Sequence, residues 1–130
     1  MPPYAFFQNK FVPLSQAKIG VLTHAFHYGT ACFEGIRANW NAQRKQLYLF
    51  RCREHYQRLL NSCRLLNMHP PQSADQLCQL TVELIRKSGY KEDVYIRPVA
   101  YKSSELLGVK LHDLEDSLLI AVTTFGPYLD

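Results

Sequence analysis

The sequence predicts an α+β fold in which helices cover one face of a largely antiparallel sheet. Three observations predict it. Strand-like segments come first, two helical segments follow, and strand-like segments close the chain. The two helical segments each carry one apolar stripe, so each has a single face to bury. The segment Val94–Tyr101 divides by parity into an aliphatic face (Val94, Ile96, Ala100) and a face of tyrosines, a valine and one arginine (Tyr95, Arg97, Val99, Tyr101). The first face suits packed helices and the second does not.

The elements follow in chain order. Ala5–Leu14 is apolar on both sides of Asn9-Lys10, which reads as a hairpin whose turn contains Asn, and Pro13 limits how far the second arm pairs. Thr23–Gly29, rich in His and aromatic residues and closed by glycine, reads as a loop or short turn. Ala31–Trp40 reads as one strand, followed by the polar loop Asn41–Lys45 and the strand Gln46–Phe50. After Arg53, Tyr56, Leu59, Leu60 and Cys63 fall on one helical face. Pro70-Pro71 ends that segment. Ser73 with Gln76 makes a capping box for a second helix with the stripe Leu77, Leu80, Leu84 and Ile85, stopped at Gly89. The strands Val94–Tyr101 and Leu118–Thr124 flank a long loop around Gly108.

At 130 residues the chain has room for one domain. Apolar residues make up 47 % and charged residues 20 %, the balance of an ordinary globular protein. No stretch approaches the ~18 apolar residues of a membrane span. Met1-Pro2-Pro3-Tyr4 lacks the basic-then-apolar order of a secretory signal. The expectation is a cytoplasmic, unprocessed chain. The net charge of +4 is spread out, which points to a solvated surface and to no nucleic-acid partner. Cys32, Cys52, Cys63 and Cys78 form no Cys-x-x-Cys pair and read as buried free thiols. His24 and His27 stand three apart with no third ligand nearby, so no metal site is expected.

Parity also sorts the strand from Ala31, with Phe33, Gly35 and Arg37 on one face and Cys32, Glu34, Ile36 and Ala38 on the other. Gly35 marks either a bulge or a close ligand approach. Arg97 among aromatics is either paired with a surface acid or part of a pocket wall able to grip a carboxylate with two parallel hydrogen bonds. Arg58, one helical turn after Glu54, is either its surface ion-pair partner or an anion-binding group at a pocket edge.

The run His27-Tyr28-Gly29-Thr30-Ala31-Cys32-Phe33-Glu34-Gly35-Ile36-Arg37-Ala38 closely resembles the signature of branched-chain aminotransferases, members of the fold-type IV pyridoxal-phosphate enzymes. The resemblance continues in order through Phe50-Arg51, Arg53-Glu54-His55, Gln57-Arg58-Leu59, Tyr95-Ile96-Arg97-Pro98, Leu107-Gly108-Val109-Lys110 and Gly126-Pro127-Tyr128. It implies the small N-terminal domain of that fold over residues 1–130, ending at the interdomain connection, with pyridoxal 5'-phosphate as cofactor. It implies that Arg58 holds the cofactor phosphate. Phe33, Gly35, Tyr95 and Tyr128 would line the substrate pocket, and Arg97 would receive the side-chain carboxylate of glutamate. Tyr28 and Val109 would reach into a neighbouring subunit's site, which implies a homodimer or higher homo-oligomer. Arg37 lies in the signature at a position where the family accepts other residues.

The implied reaction exchanges an amino group between leucine, isoleucine or valine and 2-oxoglutarate. An aromatic wall with one arginine at its rim suits both an aliphatic and an anionic side chain. The family's cofactor-linking lysine belongs to a second, larger domain. None of Lys10, Lys18, Lys45, Lys87, Lys91, Lys102 and Lys110 matches its context. The expectation is therefore that these residues contain no catalytic group and show no activity by themselves. A D-amino acid transaminase or an aminodeoxychorismate lyase would share the scaffold, and a non-catalytic ligand-binding module is the alternative of a different class. Without a second domain the tyrosine-rich face would lie exposed and favour self-association.

Overall fold

The computed structural model describes residues 3–124. Seven strands form one antiparallel sheet in the order β2-β1-β7-β6-β4-β5, with β3 also paired to β6. They are β1 (Tyr4–Phe7), β2 (Lys10–Pro13), β3 (Ala31–Phe33), β4 (Ile36–Asn41), β5 (Gln46–Leu49), β6 (Val94–Lys102) and β7 (Asp116–Thr124). Two long helices, α2 (Cys52–Leu65) and α3 (Ala74–Ser88), pack on one face, and a short helix, α1 (His24–Tyr28), precedes β3. This is the expected helix-covered α+β arrangement.

The hairpin at the start turns on Gln8-Asn9, one residue earlier than the sequence suggests. Phe7 pairs with Lys10, and both turn residues have positive φ (51° and 62°), the geometry of a two-residue type I′ turn. Pro13 is the last residue of β2, as its missing N–H requires. The segment Thr23–Gly29 holds a five-residue helix rather than a loop, closed by Gly29 at φ 65°. Its polar aromatic sequence gives no periodic stripe, so nothing in it announced a helix.

The expected strand Ala31–Trp40 is divided into β3 and β4. The register on β6 is unchanged across the division, with Phe33 opposite Val99 and Ile36 opposite Ile96. No residue is inserted, so there is no bulge at Gly35. What is missing is a rung. The Glu34 N–H donates to the Pro98 carbonyl at 3.2 Å, and Pro98 has no N–H to return.

The helices form as the sequence predicts. Ser73 caps α3 through the reciprocal Ser73–Gln76 capping box, and Gly89 closes it at φ 71°. Tyr56, Leu59 and Cys63 of α2 and Leu77, Leu84 and Ile85 of α3 are buried against Ile36, Ala38, Val94, Ile96, Ile120 and Val122. Leu80 is only half-buried, and Thr81 takes a core place beside it. Its hydroxyl donates to the Leu77 carbonyl at 2.8 Å and lies 2.6 Å from the Tyr56 hydroxyl, so both polar atoms are satisfied. Of the four thiols, all free, only Cys63 is fully buried, which corrects the expectation for Cys32, Cys52 and Cys78.

Candidate active site

The open face of the sheet carries the residues singled out from parity. Paired residues of antiparallel strands project to the same side. The pairings Phe33–Val99 and Arg37–Tyr95 therefore put Phe33, Gly35, Arg37, Tyr95, Arg97 and Val99 together. The Arg97 guanidinium lies over the Phe33 ring, 4.0 Å from its centroid, and 5.3 Å from the centroid of Tyr95. Its Nη2 donates to the Tyr95 hydroxyl at 2.7 Å, while its buried Nε has no hydrogen-bond partner. Arg97 thus belongs to an aromatic wall and not to a surface ion pair. The wall is open, with Phe33 58 % exposed.

Gly35 is needed by this wall for space. A Cβ there would meet the Tyr95 hydroxyl and lie 2.9 Å from its Cζ, so the tyrosine rests directly over the glycine backbone. Neither reading of Gly35 is met as stated: there is no bulge, and the group that approaches the glycine is the protein's own Tyr95 and not a ligand.

Arg58 comes from α2, a helix on the covered side of the sheet. Its partner is not Glu54, which instead stands 3.7 Å from Arg51. Arg58 Nε and Nη2 donate to Glu34 Oε2 and Oε1, each at 2.8 Å. Glu34 issues from the helix-covered side of the strand and its side chain is 5 % exposed, whereas that of Arg58 is 70 % exposed. The Arg58 hydrogen bonds, together with one from His55 and opposed by desolvation, hold the Glu34 carboxyl below the usual carboxylate range. An ionised carboxylate only accepts, so His55 Nδ1, 2.8 Å from Oε1, carries the proton. Two of the five guanidinium N–H groups are thereby used, and the fork is aimed with donors left for an anion.

A second cluster joins α1 to the loop around Gly108. His24, with no exposed surface, has Nδ1 2.8 Å from the Thr30 hydroxyl and Nε2 against the Gly108 carbonyl. A carbonyl only accepts, so Nε2 carries the proton. The Gly108 N–H donates to the Tyr28 hydroxyl at 2.9 Å, and the His24 N–H to the Ser104 carbonyl at 2.8 Å. Val109, 83 % exposed, is displayed next to this clamp. His27 bonds the Val21 carbonyl, and no metal-binding group of His, Cys, Asp and Glu occurs among the described residues.

The structure therefore brings Phe33, Gly35, Tyr95 and Arg97 together, with Arg37 farther along the same face, and ties Tyr28 to Gly108, the residue before Val109, in another cluster. Arg58 stands apart, and Tyr128 lies outside the described residues. Sequence reasoning passed over Glu34, His55, Thr30 and His24. Glu34 carried a usable signal: an acid among Cys32, Ile36 and Ala38 on a helix-facing strand side requires a cationic partner.

The chain is similar to known proteins. Residues 31–130 match the family described as amino-transferase class IV. The chain is 50 % identical over 127 residues to a probable branched-chain-amino-acid aminotransferase of Aquifex aeolicus, covering 98 % of this chain and 41 % of the relative. To the Escherichia coli branched-chain-amino-acid aminotransferase it is 35 % identical over 127 residues, 97 % of this chain and 40 % of that protein. The crystal structure of the branched-chain aminotransferase from Thermoproteus uzoniensis with norvaline superposes with a TM-score of 0.91 at 40 % identity, covering 99 % of this chain and 43 % of that one. The T.th. branched-chain amino acid aminotransferase complexed with N-(5'-phosphopyridoxyl)-L-glutamate gives 0.87 at 37 % identity, over 98 % and 42 %. The chain spans about two fifths of the length of these relatives. With a sheet, a signature and a match over residues 31–130 that agree, the chain belongs to the class IV amino-transferase family.

Proposed function

We propose that the chain acts as the N-terminal part of a branched-chain-amino-acid transaminase and supplies the grip on substrate and cofactor while the chemistry is carried elsewhere. The observation behind this reading is the placement of Arg97 over Phe33 and against the Tyr95 hydroxyl. With an aliphatic side chain in the site, the guanidinium stays on its aromatic neighbours and the wall presents apolar surface. With glutamate or 2-oxoglutarate, the same group turns its unpaired Nε–H and its fork to a carboxylate. Phe33 and Tyr95 exclude water from that contact, which strengthens it. Tyr128 joins the pocket lining in this reading, and Arg37 marks its outer edge.

Pyridoxal 5'-phosphate fits Arg58. The guanidinium is held in a fixed orientation by Glu34, is exposed, and keeps donors for a phosphate. The cofactor, when bound, supplies the electron sink for amino-group transfer. The chain's own part in this reading is to hold the phosphate with Arg58 and to orient the substrate side chain on the aromatic wall. Lys102, the lysine of β6, points to the covered face, where its Nζ donates to Asp116 and to the Asn67 carbonyl. Since none of the seven lysines matches the context of the family's cofactor-linking lysine, residues 1–130 assayed by themselves give no turnover in this reading.

The reading also makes the protein a homodimer. Ile19, Val21, Leu22 and Phe26 beside α1 and Leu107 and Val109 of the Gly108 loop are exposed. The Thr23–Glu105 bridge and the His24 clamp draw the two segments together. An apolar band of that size suits a second copy, with Tyr28 and Val109 reaching its site.

The test is an amino-donor panel on the full-length protein with pyridoxal phosphate and 2-oxoglutarate. Turnover with leucine, isoleucine and valine is expected; turnover with D-alanine alone, or lyase activity on an aminodeoxychorismate, would replace the reading by one of its scaffold relatives. Saturable cofactor binding without turnover of any donor would make the protein a binding module.

A further inference from the structure

The four cysteines are scattered along the sequence and meet in pairs in the fold. Cys32 Sγ, on the helix-facing side of β3, lies 3.7 Å from Cys63 Sγ on α2. Cys52 at the start of α2 and Cys78 on α3 stand near one another. The first pair combines three properties. The sulfurs need to come only roughly 1.6 Å closer to reach bonding distance. Cys32 is partly exposed while Cys63 has no exposed surface, so one thiol is reachable from solvent and the other only from its partner. The hydrogen bond is also unequal in effect, since it favours the Cys32 thiolate and pushes the Cys63 thiol up.

We propose that Cys32 and Cys63 form a redox-active dithiol, a modification site at which exchange with a small-molecule disulfide closes a bond between β3 and α2. In the first step the Cys32 thiolate attacks one sulfur of the incoming disulfide. That S–S bond breaks, one small thiolate leaves and takes up a proton, and Cys32 carries a mixed disulfide. Cys63 then gives its proton to solvent and attacks Cys32 Sγ, and the second small thiolate leaves. Two protein thiols are oxidised by two electrons and one small disulfide is reduced to two thiols, with no other reactant. The partner is a compact disulfide such as oxidised glutathione, because Cys32, the thiol that meets it, is only partly exposed. Closure lies on the strand–helix seam that also holds the Glu34–Arg58 pair, two residues beyond Cys32 and five before Cys63. The oxidised form fixes the helix bearing Arg58 to the strand bearing its carboxylate.

The experiment treats the reduced full-length protein with oxidised glutathione near neutral pH, blocks remaining thiols with a maleimide and maps peptides without reduction. The expected result is a Cys32–Cys63 linked peptide pair, an intact mass lower by about 2 Da per bond, and a thermal midpoint raised by several degrees and restored by dithiothreitol. The C63S variant is expected to stop with glutathione on Cys32. Maleimide labelling of both Cys32 and Cys63 after prolonged exposure overturns the proposal. So does a stable glutathione adduct on Cys32 in the wild-type protein, or a bond from either residue to Cys52 or Cys78. The wild-type map decides the question even if C63S fails to fold.

Discussion

Ile96 and Arg97 are adjacent on β6 and lie on opposite sides of one sheet. On the covered side, Ile36, Ala38, Val94, Ile96, Ile120 and Val122 are buried against two helices. On the open side, Arg97 lies over Phe33 and against Tyr95, with Arg37 farther along the same face. One face determines whether the chain folds, and under the proposed function its neighbour, offset by one residue, determines what the chain holds. The comparison predicts that substitutions one residue apart separate stability from recognition.

Ile96→Ala should show the largest effect on stability. It removes a fully buried side chain, at a cost of about 3 kcal/mol, read as a lower denaturant midpoint with unchanged slope. Arg97→Leu should leave that midpoint within about 0.5 kcal/mol and act on recognition. Loss of a charge-assisted contact worth about 2 kcal/mol lowers kcat/KM for glutamate in the full-length protein roughly 30-fold, with leucine little affected. Equal losses for both substrates would erase the distinction between the two halves of the wall's function.

Gly35→Ala tests whether the glycine serves the wall or the strand. Its φ is not in the left-handed region, and the atoms a Cβ would meet are at the far end of Tyr95. The expected outcome is a displaced Tyr95 and a KM for glutamate raised about threefold to tenfold, with thermal stability nearly unchanged. A large loss of stability would place the requirement in the backbone.

The smallest effect is expected from Glu34→Gln, read in the pH dependence. Glu34 is a charge on the covered side, and its carboxyl is held below the usual range by Arg58. A depressed folded-state pKa stabilises above the unfolded value, about 4.3, and that contribution is lost as pH falls through the folded value. Wild type should therefore lose stability faster than the variant below about pH 4, with the difference shrinking in high salt. Parallel acid limbs for the two proteins would remove Glu34 as the titrating group.

How much of this was legible in the sequence follows from how local each signal is. The helices carry their own stripes, and the Ser73–Gln76 box sits within one turn, so both could be read directly. Parity grouped Phe33 with Arg37 and Tyr95 with Arg97, one strand at a time, and the β4–β6 register put the two groups on one face. What parity could not give was the object on the other side of a contact. The break after Phe33 originates in Pro98, on another strand, and Arg58 is partnered by Glu34, 24 residues away, rather than by Glu54 on its own helix. Helix α1 escaped because five residues hold no full period of any pattern. The thiol pairs were invisible for the same reason as the Glu34 contact.

The register that runs unchanged through the missing rung at Pro98 has an evolutionary corollary. Between Phe33 and Ile36, gaining or losing a single codon would reverse the facing of every residue on one side of the change, exchanging Phe33 with Cys32 or Glu34 with Gly35. The loop from Ser103 to Glu115 bears no such constraint, because its ends are tied to each other by the Ser103–Glu115 hydrogen bond and its interior to α1. Lineages of this family should therefore vary in length within this loop outside the Gly108 clamp while keeping the Phe33–Ile36 spacing fixed.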